Sequence, residues 1–222
     1  MLPNGLDQPG SRAPVTYAKV LLVEGKSAFE FFKALLRRLQ ILDQVEIRNY
    51  GGVDQLPNYL RTLPAIDGFR RVTSLGIIRD AESNATAAFN SVHRAMEKAQ
   101  SVKKLNPRLV VPSAPEKPCI KTSGIPSVSV FILPDCRTPG MLETLCLDSV
   151  RNDPALQCVE EYSKCLVRSG FNLGAKSDKA KLHTFLASRL QPDLLLGQAA
   201  HEGYFPWESP AFESIKAFLM AL

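Results

Sequence analysis

Apolar residues in the first part of the chain follow two patterns in turn. The run Ala18–Val23 is short, apolar and rich in branched side chains, and it stops at Glu24 and Gly25, as a buried strand does before a turn. Between Phe29 and Leu39 the apolar residues instead recur at helical spacing, and Ser27 precedes them as a candidate N-cap. The chain is therefore predicted to open with a strand, a turn and a helix.

The same alternation continues beyond this first unit. Apolar runs predict strands over 45–49, 72–79 and 128–133, and amphipathic patterns predict helices over 53–63 and 84–99. Alternation of this kind indicates parallel strands that are joined by helical crossovers. We therefore predict an α/β fold with a mostly parallel sheet flanked by helices.

The rest of the chain reads as a loop followed by helices. Prolines recur between 101 and 127, which predicts a loop with one short strand near 109–111, and Pro139 is expected in the first turn of a helix. Helical patterns follow over 154–168, 178–189 and 211–222. We expect residues 1–15 to be a flexible segment and 16–222 to be one domain, with a helical extension from about residue 150 packed on the same core.

Composition narrows the choice of function only a little. The 222 residues carry a net charge of +5, which suits an acidic partner such as nucleic acid, although the scattered Lys and Arg residues equally suit a solvated surface. No apolar stretch is long enough to cross a bilayer, so we expect a cytoplasmic protein without a membrane partner. The 5 cysteines show no zinc-binding spacing, and Cys146 and Cys158 are expected to be buried thiols.

Acidic residues follow the predicted strands at the points where the strands end. Glu24 comes after the first strand, Asp80 and Glu82 after the third, and Asp135 after the fourth; Glu143 lies in the helical turn that follows. Ligands of parallel sheets bind beyond the carboxyl ends of the strands. Because crowded carboxylates repel one another, a hard divalent cation is the simplest way to neutralise them. We predict a Mg²⁺ (or Mn²⁺) site.

Each of these residues also has a simpler interpretation. Asp and Glu are common at helix N-termini, where they cap the chain and favour the helix dipole, and Glu143 fits that role as well as it fits a metal site. Lys26 is a candidate phosphate contact beside the metal, or else a solvated lysine in a turn. Both interpretations stay open for each residue at this point.

Two segments resemble the Toprim signature, which has a Glu after the first strand and an Asp-x-Asp after a later one. They are Leu21-Leu-Val-Glu-Gly-Lys-Ser27 and Gly76-Ile-Ile-Arg-Asp-Ala-Glu82. Topoisomerases, bacterial primases, OLD-type nucleases and recombination mediators share that domain. A closer resemblance, which extends over nearly the whole chain, is to small stand-alone Toprim-related bacterial proteins of unknown function.

The resemblance implies a Toprim or Rossmann-like fold, a Mg²⁺ cofactor and roles for three residues. Glu24 would be a metal ligand or general acid/base, and Asp80 and Glu82 would be metal ligands. Glu82 departs from the signature, because many Toprim proteins have the shorter Asp there. The implied function is metal-dependent cleavage of phosphodiester bonds in DNA or RNA. The alternative is a Toprim scaffold that binds nucleic acid or a protein without catalysis.

Overall fold

A parallel four-stranded sheet forms the centre of the protein. The computed structural model describes residues 5–174 and 177–222. The strands are β1 (Lys19–Glu24), β2 (Val45–Gly51), β3 (Ser74–Asp80) and β4 (Ser127–Leu133). They lie in the order β2-β1-β3-β4, and every neighbouring pair is parallel. The predicted α/β fold is confirmed.

Helices cover both faces of this sheet. In the described residues they are α1 (Gly25–Arg38), α2 (Leu56–Thr62), α3 (Ala85–Leu105), α4 (Leu142–Ser149), α5 (Pro154–Arg168), α6 (Ser177–Ala187), α7 (Leu196–His201) and α8 (Glu213–Met220). Helices α2 and α3 contribute to one apolar core, and the remaining helices contribute to the other. The C-terminal helices therefore pack on the same sheet as α1, as expected.

The strands are apolar throughout because both of their faces are buried. Successive side chains of a strand point to opposite faces. In β1, Leu21 and Val23 enter the core beneath α1, whereas Val20 and Leu22 enter the core beneath α2 and α3. A continuous apolar run is what a parallel strand covered on both faces requires.

Several element boundaries differ from those predicted. Helix α1 begins at Gly25, so Ser27 lies inside the helix and does not cap it. Helix α4 begins at Leu142, so Pro139 lies before the helix. Helix α3 continues to Leu105, no strand forms over 109–111 among the described residues, and α7 was not predicted. Cys146 is buried as expected, but Cys158 is exposed on α5.

The N-terminal segment packs against the edge of β2. Of the residues predicted to be flexible, 5–15 are described and 1–4 lie outside the described residues. The backbone amides of Gly10 and Asn49 donate to the carbonyls of Asn49 and Leu6, each at 3.0 Å. Leu6 is buried in the core beneath α1. Residues 5–15 therefore pack against β2 and the core beneath α1.

A buried arginine of β2 donates hydrogen bonds to the backbone of this segment. The Arg48 side chain is fully buried and pairs with Glu46 at 2.7 Å. Its guanidinium also donates to the backbone carbonyls of Ser11, Ala13 and Pro14. These carbonyls supply the partners that a buried guanidinium requires, because an unpaired buried charge is strongly destabilising.

A proline-rich segment packs along β4, at the opposite edge of the sheet. The amides of Cys119 and Thr122 donate to the carbonyls of Val130 and Val128, at 2.7 and 2.9 Å. Thus irregular segments cover part of both outer strands. None of the described helices is both long and apolar enough to cross a membrane.

Candidate functional site

The strand order creates a crevice at the carboxyl ends of β1 and β3. Strands β2 and β3 lie on opposite sides of β1, so the connections from β1 and from β2 run in opposite directions across the sheet. Open α/β sheets bind ligands at such a switch point, beyond the carboxyl ends of the strands. Glu24 is the last residue of β1, and Asp80 is the last residue of β3.

Glu24 is partly buried between the sheet and the start of α1. The Tyr50 hydroxyl lies 3.3 Å from Glu24 Oε2 and 3.2 Å from the Ile78 carbonyl oxygen, and it can donate its one proton to either. Burial raises the pKa of Glu24, while the Tyr50 hydroxyl and the positive charge of Arg79 oppose that shift. Glu24 is thus a carboxyl whose pKa lies above its ordinary value, as suits a group that exchanges protons.

Asn49 holds the turn that carries Glu24. Its side-chain oxygen accepts hydrogen bonds from the backbone amides of Gly25 at 3.0 Å and Gly51 at 2.8 Å. Its side-chain nitrogen donates to the Asp7 carbonyl at 2.7 Å. One buried amide therefore ties the end of β1, the end of β2 and the N-terminal segment together.

Asp80 lies at the N-terminus of α4. Its Oδ1 accepts a hydrogen bond from the backbone amide of Leu142, the first residue of that helix, at 2.9 Å. Burial, followed by the charges of Glu24 and Glu143, raises the pKa of Asp80 to about 7; the Leu142 amide opposes this shift, and Glu82 adds to it. Burial and the surrounding carboxyls therefore outweigh the helix N-terminus, which alone would stabilise the anion.

Glu82 is also close enough to affect the pKa of Asp80, and its backbone has an unusual conformation. Its φ is +52°, a left-handed value that few residues other than glycine adopt. A two-way pairing with Gly140 holds it there: the Glu82 amide donates to the Gly140 carbonyl at 2.7 Å, and the Gly140 amide donates to the Glu82 carbonyl at 2.8 Å. This pairing fixes the loop after β3 against the loop before α4.

Of the remaining predicted residues, Glu143 lies near Asp80, whereas Asp135 lines a separate groove. Glu143 is the second residue of α4 and belongs to the group through its effect on Asp80. Lys26 is exposed in the first turn of α1, and its side chain makes no hydrogen bond within the described residues. Asp135 Oδ1 accepts hydrogen bonds from the backbone amides of Arg137 and Thr138 in its own loop. Burial raises the pKa of Asp135, but these hydrogen bonds outweigh burial and lower it. Asp135 lines a groove together with Cys136.

The acidic side chains near Asp80 are of the type that binds a hard divalent cation. Glu24, Asp80, Glu82 and Glu143 offer only carboxylate oxygens, and their mutual repulsion is what a cation relieves. In the described part of the chain, however, no three His, Cys, Asp or Glu side chains converge closely enough to form a ready-made metal site. Mg²⁺ commonly takes one or two carboxylates and keeps several waters, so a complete protein cage is not required.

Three residues of the site were not predicted from the sequence. Tyr50 and Arg79 adjust the pKa of Glu24, and Asn49 positions its turn. The alternation of β2 places Tyr50 on the same face as Glu46 and Arg48, but this pattern does not show that Tyr50 meets Glu24. The buried Arg79 Nε has no hydrogen-bond partner among the described residues, and its NH1 donates to the Ala88 carbonyl at 3.3 Å.

Comparison with known proteins identifies the family. One family model matches residues 18–222, and that family is described as protein of unknown function (DUF3226). No curated protein and no solved structure matches the chain. The matched range includes the whole sheet, the helices on both of its faces and the acidic side chains that surround Asp80. The chain therefore belongs to the DUF3226 family.

Proposed function

We propose that this protein is a Toprim-like enzyme that uses Mg²⁺ to cleave phosphodiester bonds in DNA or RNA. The observation that carries the proposal is the setting of Asp80. Its carboxyl lies at the switch point of the sheet, and burial, followed by the carboxyls of Glu24, Glu143 and Glu82, raises its pKa. Such crowding costs stability unless a cation or a proton offsets it. The proposed partner is nucleic acid, and the proposed location is the cytoplasm.

The proposal assigns different tasks to the residues of the site. Asp80, Glu82 and Glu143 would hold the Mg²⁺ or Mn²⁺ ion, with Glu24 close by. When bound, such an ion supplies positive charge for the scissile phosphate and lowers the pKa of a water. Glu24 accepts the proton of the attacking water while the water oxygen bonds to phosphorus and the bond to the leaving oxygen breaks. The leaving oxygen takes up a proton from solvent.

Two basic residues complete the assignment. Lys26 is exposed in the first turn of α1, next to Glu24, where its ammonium group can contact a phosphate. Burial raises the pKa of Glu24, and the Tyr50 hydroxyl and then the charge of Arg79 oppose that shift. That charge favours the carboxylate form of Glu24, which is the form that accepts a proton.

The test is a metal titration followed by an assay for cleavage. Mg²⁺ and Mn²⁺ are titrated by calorimetry into the wild type, Asp80→Asn and Glu24→Gln, and the same samples are incubated with labelled single- and double-stranded DNA and RNA. We expect Asp80→Asn to lose metal binding, and both variants to lose cleavage by at least about 100-fold. Asp43→Asn is the matched control, because Asp43 is exposed just before β2, at the opposite end of the sheet.

One observation favours a second candidate function. Because no three potential ligands among the described residues converge as they stand, the fold would also serve as a scaffold that binds nucleic acid without chemistry. That function predicts metal-independent binding of DNA or RNA and no product after long incubation. Unchanged cleavage in either Asp80→Asn or Glu24→Gln would refute the assigned site.

A further inference from the structure

Two cysteines that are distant in sequence meet at the edge of β4. Cys119 and Cys136 are 17 residues apart, and their sulfur atoms lie 2.6 Å from each other. Both are free thiols here. A disulfide has a sulfur–sulfur bond of about 2.05 Å, so bond formation requires only a small approach. This pair takes no part in the function proposed above.

The backbone holds both cysteines in place. The Cys119 amide donates to the Val130 carbonyl, and the Cys136 amide donates to the Ile132 carbonyl, each at 2.7 Å. The two residues also share a left-handed backbone, with φ of +61° and +67°. A backbone hydrogen bond to β4 therefore fixes each cysteine, so the two thiols are held next to each other by the sheet.

The surroundings favour reaction of Cys119 with an anionic disulfide. Cys119 is exposed and lines a groove of about 790 Å³ together with Lys117, Lys121 and Arg137. The contact with Cys136, and then the Arg137 charge, lower the pKa of the Cys119 thiol, whereas hydrogen bonding to Cys119 and burial raise that of Cys136. The thiolate is the reactive form of cysteine, so Cys119 is the nucleophile of the pair.

We propose that Cys119 and Cys136 form a reversible disulfide by exchange with a small anionic disulfide such as oxidised glutathione. The Cys119 thiolate attacks one sulfur of the reagent, forms a mixed disulfide and releases one thiolate. The Cys136 thiol then loses its proton to solvent and attacks Cys119 Sγ, which forms the internal disulfide and releases the second thiolate. The protein pair is oxidised by two electrons, and the reagent is reduced to two thiols.

The bond would join the segment that precedes β4 in the sequence to the loop that follows it. One is the proline-rich segment that contains Cys119, and the other is the loop that runs from Cys136 to α4. That loop contains Gly140, which pairs with Glu82, and it ends at Leu142, which donates to Asp80. Oxidation would therefore restrain the loop that supports two of the acidic residues.

The experiment treats the full-length protein with oxidised glutathione, blocks the remaining thiols and maps the products by mass spectrometry. We expect the wild type to lose two free thiols and to yield one linked peptide pair, Cys119 with Cys136. Its melting temperature should rise by about 5 °C, because the bond closes a loop in the unfolded chain, and dithiothreitol should reverse the change. Cys136→Ser should stop at a stable mixed glutathione disulfide on Cys119.

Cys158→Ser is the matched control, because Cys158 is an exposed cysteine of α5 far along the chain. It should form the same linked pair to the same extent as the wild type. Retention of all five thiols, a mixed disulfide on wild-type Cys119 that is not resolved, or a link between other cysteines would each overturn the proposal. These readouts come from the wild type, so they do not depend on how well a variant folds.

Discussion

Asp80 lies where a helix N-terminus favours its anion and neighbouring carboxyls oppose it. Its raised pKa, about 7 against an ordinary value of 3.8, follows first from burial and then from Glu24 and Glu143. Between these two pH values the folded protein binds more protons than the unfolded chain. The free energy of unfolding therefore falls as the pH rises from about 4 to about 7, and the whole penalty is present above that range.

Replacing Asp80 by Asn should remove this penalty. Asn keeps an oxygen for the Leu142 amide but carries no charge. We expect Asp80→Asn to be more stable than the wild type at pH 8 by about 1–2 kcal/mol, after allowance for solvent screening, and to show little difference at pH 4. Thermal unfolding of both proteins across this pH range, without added metal, measures the difference.

The Asp43→Asn variant is the control, because it replaces an exposed carboxyl at the opposite end of the sheet, and it should not reproduce the gain in stability at pH 8. If Asp80→Asn shows no gain in stability at pH 8, Asp80 is an ordinary helix cap. Addition of Mg²⁺ at pH 8 should then separate the two interpretations of the site, because only a protein that binds the ion gains stability from it.

The positions of Glu24 and Asp80 could be predicted because strand ends are visible in the sequence. Each apolar run stops at the acidic residue, and parallel strands bring such residues to one edge. The direction of a side chain in a loop could not be predicted in this way. Asp135 follows β4 as Asp80 follows β3, yet its carboxylate turns back to cap its own loop at Arg137 and Thr138.

At the scale of elements, the contact of α7 with α1 depends on a glycine. A Cβ atom at Gly197 would lie 2.6 Å from Glu30 Cβ and 3.2 Å from the Ser27 carbonyl oxygen. The close approach also lets His201 Nε2 bond to Glu30 Oε2 at 2.9 Å. Helix α7 therefore packs backbone to backbone against the first half of α1.

Gly197→Ala should separate these two helices. The added methyl group has no room, so we expect the free energy of unfolding to fall by about 1–3 kcal/mol. Denaturant unfolding monitored by circular dichroism measures the loss. Gly52→Ala is the control, because Gly52 has an ordinary φ of −88° and a Cβ atom there would have no neighbour within 4 Å; it should be neutral or slightly stabilising. Equal stability of Gly197→Ala and the wild type would contradict the packing described.

The elements that sequence patterns missed are those whose limits depend on tertiary contacts. Helix α7 spans only Leu196–His201, which is too short to show a helical period. Pro139 suggested an earlier start for α4, but the pairing of Gly140 with Glu82 keeps that stretch extended until Leu142. Longer periodic segments such as α5, by contrast, were predicted with the right limits.

At the scale of the whole molecule, the N-terminal segment belongs to the folded domain. Its composition, rich in Pro and Gly, suggested flexibility. Composition could not reveal the carbonyl partners that Arg48 requires or the burial of Leu6. Both depend on where β2 lies in the sheet, which a local reading of the chain does not contain.

Leu6→Ala tests this docking. Leu6 is 1% exposed, so we expect the substitution to lower the free energy of unfolding by about 2–4 kcal/mol, which corresponds to a fall of roughly 5–10 °C in melting temperature. Differential scanning calorimetry measures the shift. Gln8→Ala, at an exposed position of the same segment, should be close to neutral. If the two variants melt at the same temperature, the segment is not docked in solution.

The segments along β2 and β4 also limit how this protein can associate with others. A sheet with bare outer strands can be extended by a strand from another chain, which leads to ordered partners or to aggregates. Here Gly10 and Leu6 occupy hydrogen-bonding groups of β2, and Cys119 and Thr122 occupy those of β4. Strand addition would first have to displace these segments. Assembly with a second molecule is therefore directed to the helical faces and to the rim of the sheet where Glu24 and Asp80 lie.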